Sequence, residues 1–83
     1  MSNLEKAKEI VKENYIYADC GIFNSRNWVG DSMETIYEGE GLSIDICYYH
    51  SYFEIFGLSD DDFKELERYY NSLSESEVKG GRN

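Results

Sequence analysis

The sequence of 83 residues has no proline, one histidine, one tryptophan, two cysteines, and eight lysines and arginines against seventeen aspartates and glutamates. Each shortage excludes something. With no proline, no repeat and no composition break, nothing reads as a linker, and a chain this short makes one domain. A secreted domain of this size held by disulfides would carry more than Cys20 and Cys47. Both lie in strand-like runs and are expected to be buried thiols. No stretch approaches the ~20 apolar residues of a membrane span. Met1 to Asn14 has no apolar core of the signal-peptide kind. The protein is therefore expected to be soluble and cytoplasmic. The deficit of bases leaves a net charge of −9, concentrated between Asn14 and Val78, where fourteen acids face three bases for a net of −11. Such a chain repels nucleic acid and anionic membranes and attracts basic surfaces.

Catalytic and metal signatures are missing too. His50 is three residues from Cys47 across a strand end, which predicts side chains on opposite faces rather than a thiolate pair. No GxSxG turn presents a nucleophile. One histidine and two distant cysteines do not make a zinc site. Asp60, Asp61 and Asp62 are consecutive and have neither the alternation nor the glycine of a calcium loop; on a helix they point about 100° apart. Gly39 and Gly41 belong to no phosphate-binding motif, and Glu38 and Glu40 beside them would repel phosphate. The expectation is no enzyme, no cofactor and no metal.

What is present is patterned. Ser2 and Glu5 have capping-box spacing, and Leu4, Ala7, Ile10 and Val11 recur as a helical stripe, predicting a helix over Ser2–Asn14. Tyr15–Phe23 alternates with Ile16, Ala18, Cys20 and Ile22 on one side, predicting a strand. Asn24–Asp31 is a polar loop. Met33–Glu38 is a second strand, and the GEG of Gly39–Gly41 supplies the positive φ of a tight hairpin. Leu42–Tyr49 is the clearest strand, with Leu42, Ile44 and Ile46 on one face and Ser43, Asp45 and Cys47 on the other. Tyr52–Phe56 is either a fourth strand, after a loop wider than two residues, or a bent continuation of the third. Ser59 caps a last helix whose Phe63, Leu66, Tyr70 and Leu73 form its buried stripe, with the three aspartates favourably placed at its positive end. The expected fold is α+β: an N-terminal helix, a three- to four-stranded antiparallel sheet and a C-terminal helix, both helices on one sheet face. Residues 1–73 form the domain and residues 74–83 a flexible tail. The second sheet face is expected to stay partly open and to carry tyrosines and acids.

That face is the candidate site. The eight tyrosines cannot all be interior; some cover a thin core, and others suit a protein interface, where tyrosine gives rigid contact area with a polar tip. A single-stranded nucleic-acid platform would need a basic groove, which is missing. The acidic surplus has three readings: solubility, attraction to a basic protein, or cation binding. Glu34, Glu38, Glu40, Asp45 and Glu54 lie on or between adjacent strands. At ~4.8 Å between strands and ~6.6–6.8 Å along one face, their carboxylates would be spaced much as phosphates along a nucleic-acid strand. Tyr49 and Tyr52 would supply contact area at the centre.

In size, charge and element order the chain resembles the small acidic inhibitors that phages encode against host defence, the anti-CRISPR proteins above all. The resemblance spans the whole chain but rests on no motif. It implies a non-enzymatic inhibitor in the host cytoplasm, binding a CRISPR effector or other defence nuclease and occupying its basic nucleic-acid-binding surface as a DNA mimic. The rival expectation is a homo-oligomeric structural or adaptor domain, whose half-covered sheet a two-fold dimer would bury.

Overall fold

The computed structural model describes residues 1–25 and 32–81, the last seven of them as backbone only. Helix α1 spans Asn3–Asn14 and continues into a 3-10 turn, Tyr15–Tyr17. Strands β1 (Gly21–Phe23), β2 (Glu34–Gly39), β3 (Leu42–Cys47) and β4 (Tyr52–Phe56) follow, and helix α2 spans Asp60–Gly81. The architecture is α+β.

Both helices start where the sequence predicts. The Glu5 N–H donates to Ser2 Oγ at 3.1 Å and the Ser2 N–H to Glu5 Oε1 at 3.0 Å, closing the capping box and holding the Glu5 carboxyl below its ordinary pKa, chiefly through these hydrogen bonds. At α2 the Asp62 N–H donates to Ser59 Oγ at 3.2 Å, and Asp60, Asp61 and Asp62 fill the first turn. Helix α2 then runs on to Gly81, through the segment predicted to be a flexible tail; part of that segment, Arg82 and Asn83, lies outside the described residues.

The sheet order is β1-β4-β3-β2. Strand β3 pairs antiparallel with both neighbours, but β1 pairs parallel with β4, Ile22 opposite Phe53. The sheet is thus mixed rather than purely antiparallel. Tyr52–Phe56 is a true fourth strand, reached by the four-residue loop 48–51, in which the Ser51 N–H donates to the Cys47 carbonyl at 2.8 Å. One face carries Ile22, Leu42, Ile44, Ile46, Phe53 and Ile55 into a single core with Ala7, Ile10, Val11 and Tyr15 of the first helical segment and Phe63, Leu66 and Tyr70 of α2. An ion pair between Lys8 Nζ and Glu65 Oε2, 2.8 Å, links the two helices, and the Lys8 hydrogen bond, then its charge, lowers the Glu65 pKa.

The segment after α1 departs from its expected strand. Tyr15 and Ala18 are buried, while Ile16 is 77% exposed and Cys20 is also exposed. Two periods compete here: alternation predicts Ile16 inside, whereas the helical series Leu4, Ala7, Val11, Tyr15, Ala18 predicts it outside. The helical series prevails because α1 is already formed and extending it by a turn adds little entropic cost. Tyr15 also meets Tyr70 edge to face, with ring centroids 5.2 Å apart. The Tyr70 hydroxyl crosses this junction, donating to the Ala18 carbonyl at 2.6 Å, and burial raises its pKa far above the ordinary phenol value. Tyr70→Phe removes that donor from a buried carbonyl and is expected to cost about 1–3 kcal/mol. Urea unfolding checks this; a loss below about 0.5 kcal/mol would show that the carbonyl finds another partner.

The β2–β3 turn is the tight hairpin that GEG predicts. Glu40 (φ 53°) and Gly41 (φ 84°) are its two central residues, both left-handed, as a type I′ turn demands. Glutamate is a poor residue for the first position. Glu40→Asn is expected to raise stability by about 0.5–1 kcal/mol, since asparagine tolerates left-handed φ. A fall in the urea midpoint would refute that assignment.

Candidate partner-binding surface

The seven candidate residues do not form one surface. Glu34, Glu38, Glu40 and Tyr49 are exposed. Asp45, Glu54 and Tyr52 are not, at 5%, 1% and 2% exposure. Asp45 lies opposite Glu54 on the central strands, on the face away from the helices, and the Thr35 hydroxyl donates to its carboxylate at 2.8 Å. Cys47 and Tyr52, a register pair on the same face, are buried beside them. The second face is therefore closed over its middle, and the expectation of an open sheet of tyrosines and acids is corrected. Alternation shows which residues share a face; it does not show whether that face is covered. Carboxylates are seldom buried unless hydrogen-bonded, so acids at these positions read as exposed.

The exposed acids follow β2, an edge strand of the sheet. Glu34 begins it, Glu38 lies near its end and Glu40 sits in the turn beyond. At ~3.3 Å per residue the row is on the order of 20 Å long. Register places Glu38 beside Ser43 and Glu34 beside Ile46, with a bulge between Thr35 and Tyr37, so the two carboxylates leave the strand on different sides. They line an edge instead of tiling a plane. Charged residues and a bulge on an edge strand also discourage pairing with another sheet.

A second exposed feature sits at the opposite end of β3 from the Glu40 turn. The rings of Tyr17, from the 3-10 turn, and Tyr48, from the β3–β4 loop, meet edge to face at 5.9 Å. Tyr49, 85% exposed, meets His50 at 4.7 Å. The Cys20 N–H donates to the Ser51 carbonyl at 2.7 Å and ties the two segments together. Desolvation, then the charge of Glu34, raises the Tyr48 pKa. Sequence reading found Tyr49 but missed Ile16, Tyr17 and Tyr48. Alternation places Ile16 and Tyr17 in a strand; the continuing helical period is the signal that exposes them.

Residues with chemical potential are dispersed. Cys47 is buried and its Sγ accepts from the His50 N–H at 3.4 Å. Cys20, expected to be buried, is exposed, with its thiol directed at Asp19 Oδ1, 3.7 Å away. It lines a cleft of about 320 Å³ between β1 and α2 with Tyr15, Ile22, Glu67, Tyr70 and Asn71, and among the described residues that line it none is a histidine or lysine that could act as a base. Among the described residues no group of three histidine, cysteine or acidic side chains could hold a metal ion, and no helix is long and apolar enough to cross a membrane. No known family matches the chain, and neither a curated protein nor a solved structure is significantly similar to it.

Proposed function

We propose that this protein is a non-enzymatic inhibitor that binds a basic, nucleic-acid-binding surface of another protein, a CRISPR effector or other host defence nuclease. The observation that supports the reading is the exposed acidic edge: Glu34, Glu38 and Glu40 follow β2 and its turn in a stretch, Asn27 to Phe63, without a lysine or arginine. An edge of carboxylates can enter a groove lined by lysine and arginine, as one nucleic-acid strand does. Steering by net charge speeds the encounter. The motive for the homo-oligomeric rival is weaker in the folded chain, because the sheet face a dimer would have buried is closed within one copy.

The test is competition. Purified protein is added to a panel of CRISPR effectors and defence nucleases bound to labelled DNA, across a salt series. Displacement of DNA at low salt, relieved at high salt, is the expected result with a true target. No displacement from any member at any salt would overturn the inhibitor reading.

A further inference from the structure

Among the described residues, five large hydrophobic side chains are exposed, and four of them, Ile16, Tyr17, Tyr48 and Tyr49, belong to the 3-10 turn and the β3–β4 loop. The Tyr17–Tyr48 ring contact and the Cys20–Ser51 hydrogen bond hold these segments together, so the two segments that carry the four lie side by side. Scattered exposed hydrophobes mean little, but a contiguous group with a polar rim marks a contact surface. Its rim is acidic: register places Glu34 beside Ile46, two residues before Tyr48, and its charge acts on Tyr48. The segments that build it, residues 15–23, 32–37 and 46–53, contain no lysine or arginine.

Elsewhere in the molecule tyrosine rings do take cations. Lys6 Nζ lies 5.5 Å from the centre of the Tyr37 ring, and Lys8 Nζ 5.6 Å from that of Tyr69. Among the described residues no lysine or arginine is placed over Tyr17, Tyr48 or Tyr49. We propose that this aromatic end of the sheet is a docking site for an arginine-bearing segment of a partner protein. A guanidinium stacks flat on a tyrosine ring while its N–H groups reach the rim carboxylate of Glu34. Charge selects this occupant over a second copy, which would bring a net −9 and the same acidic rim against the patch. The proposal rests on the protein-binding reading above, and it locates the aromatic contact at a different end of the sheet from the Glu38–Glu40 turn.

The test is an amide NMR titration of the full chain at physiological salt with a capped peptide of alternating arginine and serine, and with its lysine counterpart. The expected result is shifts at residues 16–20 and 47–51, weaker binding of the lysine peptide by several-fold, and about tenfold weaker arginine-peptide binding in Tyr17→Ala/Tyr49→Ala. Both positions are exposed, so the variant should keep its fold, which its amide spectrum checks. Shifts confined to residues 34–40, or affinity unchanged in the double variant, would overturn the proposal. So would patch shifts that grow with protein concentration without peptide, which would assign the surface to a second copy. Peptide binding at the patch with no nuclease inhibited would sink the inhibitor reading alone. Nuclease inhibition undiminished in the double variant, with no peptide at the patch, would sink this proposal alone.

Discussion

Gly57→Ala is expected to remove more than about 3 kcal/mol of stability, a large share of the roughly 4–12 kcal/mol available to a domain of this size. Gly57 follows β4 and adopts φ 105°, a conformation open to glycine and strained for other residues. A Cβ there would sit 2.0 Å from the Gly41 carbonyl oxygen and 3.0 Å from Leu42 Cα. These are backbone atoms of the β2–β3 turn, so no rotamer change relieves the clash; the turn must move away from the end of β4 or Gly57 must change its φ. The register pair Ser43–Phe56 lies immediately beside this contact, and Leu42 is buried in the core. Gly41→Ala is the control. Gly41 also has positive φ, at 84°, but a Cβ there meets nothing within 4 Å, so only the backbone term of about 1 kcal/mol applies. Guanidinium unfolding of both variants separates close approach from φ. Equal losses would mean that the turn yields to a methyl group and that Gly57 is required for its dihedral alone.

Reversal of the acidic edge, Glu34→Lys/Glu38→Lys/Glu40→Lys, is expected to weaken binding to a basic partner by about 10²–10³-fold at low salt, mainly through slower association. All three side chains are exposed, so stability should change by less than about 1 kcal/mol. The triple variant shifts the net charge from −9 to −3. Reversing Glu9, Glu13 and Glu67, exposed on the two helices, makes the same change away from the edge. If both triple variants lose binding equally, net charge rather than the edge accounts for it. If neither loses binding, the acids serve solubility and the inhibitor reading loses its mechanism.

The parts of this fold legible in the sequence are those set by neighbours a few residues apart. The Ser2–Glu5 box and the Ser59 cap mark their helices because their hydrogen bonds span only three residues. The stripe Phe63, Leu66 and Tyr70, and the alternating Leu42, Ile44 and Ile46, name core residues because side-chain direction repeats with the local backbone period. GEG gave the hairpin because only positive φ closes so short a turn with the right twist.

The candidate site was legible only in part. Local pattern identified Glu34, Glu38 and Glu40 as exposed acids on one strand and turn, and placed Tyr49 at the end of the third strand, where the structure has an exposed loop residue. It also assigned Asp45 and Glu54 to a shared face, and their cross-strand pairing agrees. Yet that face is buried at its centre, and its acids offer no surface to a partner. The neighbourhood of Tyr17 and Tyr48 was equally invisible, since thirty-one positions separate them and ring contact depends on how the 3-10 turn meets the β3–β4 loop.

By itself the sequence determined where both helices start, the β2–β3 hairpin, the core stripes of β3 and α2 and the sign of the surface charge, all consequences of local geometry and composition. Tertiary structure alone decided that β1 joins the sheet parallel to β4, that a helical period overrides alternation through Ala18, and which acids and tyrosines face solvent. Those outcomes depend on which distant segments lie against one another: burial belongs to the pair of surfaces that meet, and a residue carries only its own half of that contact.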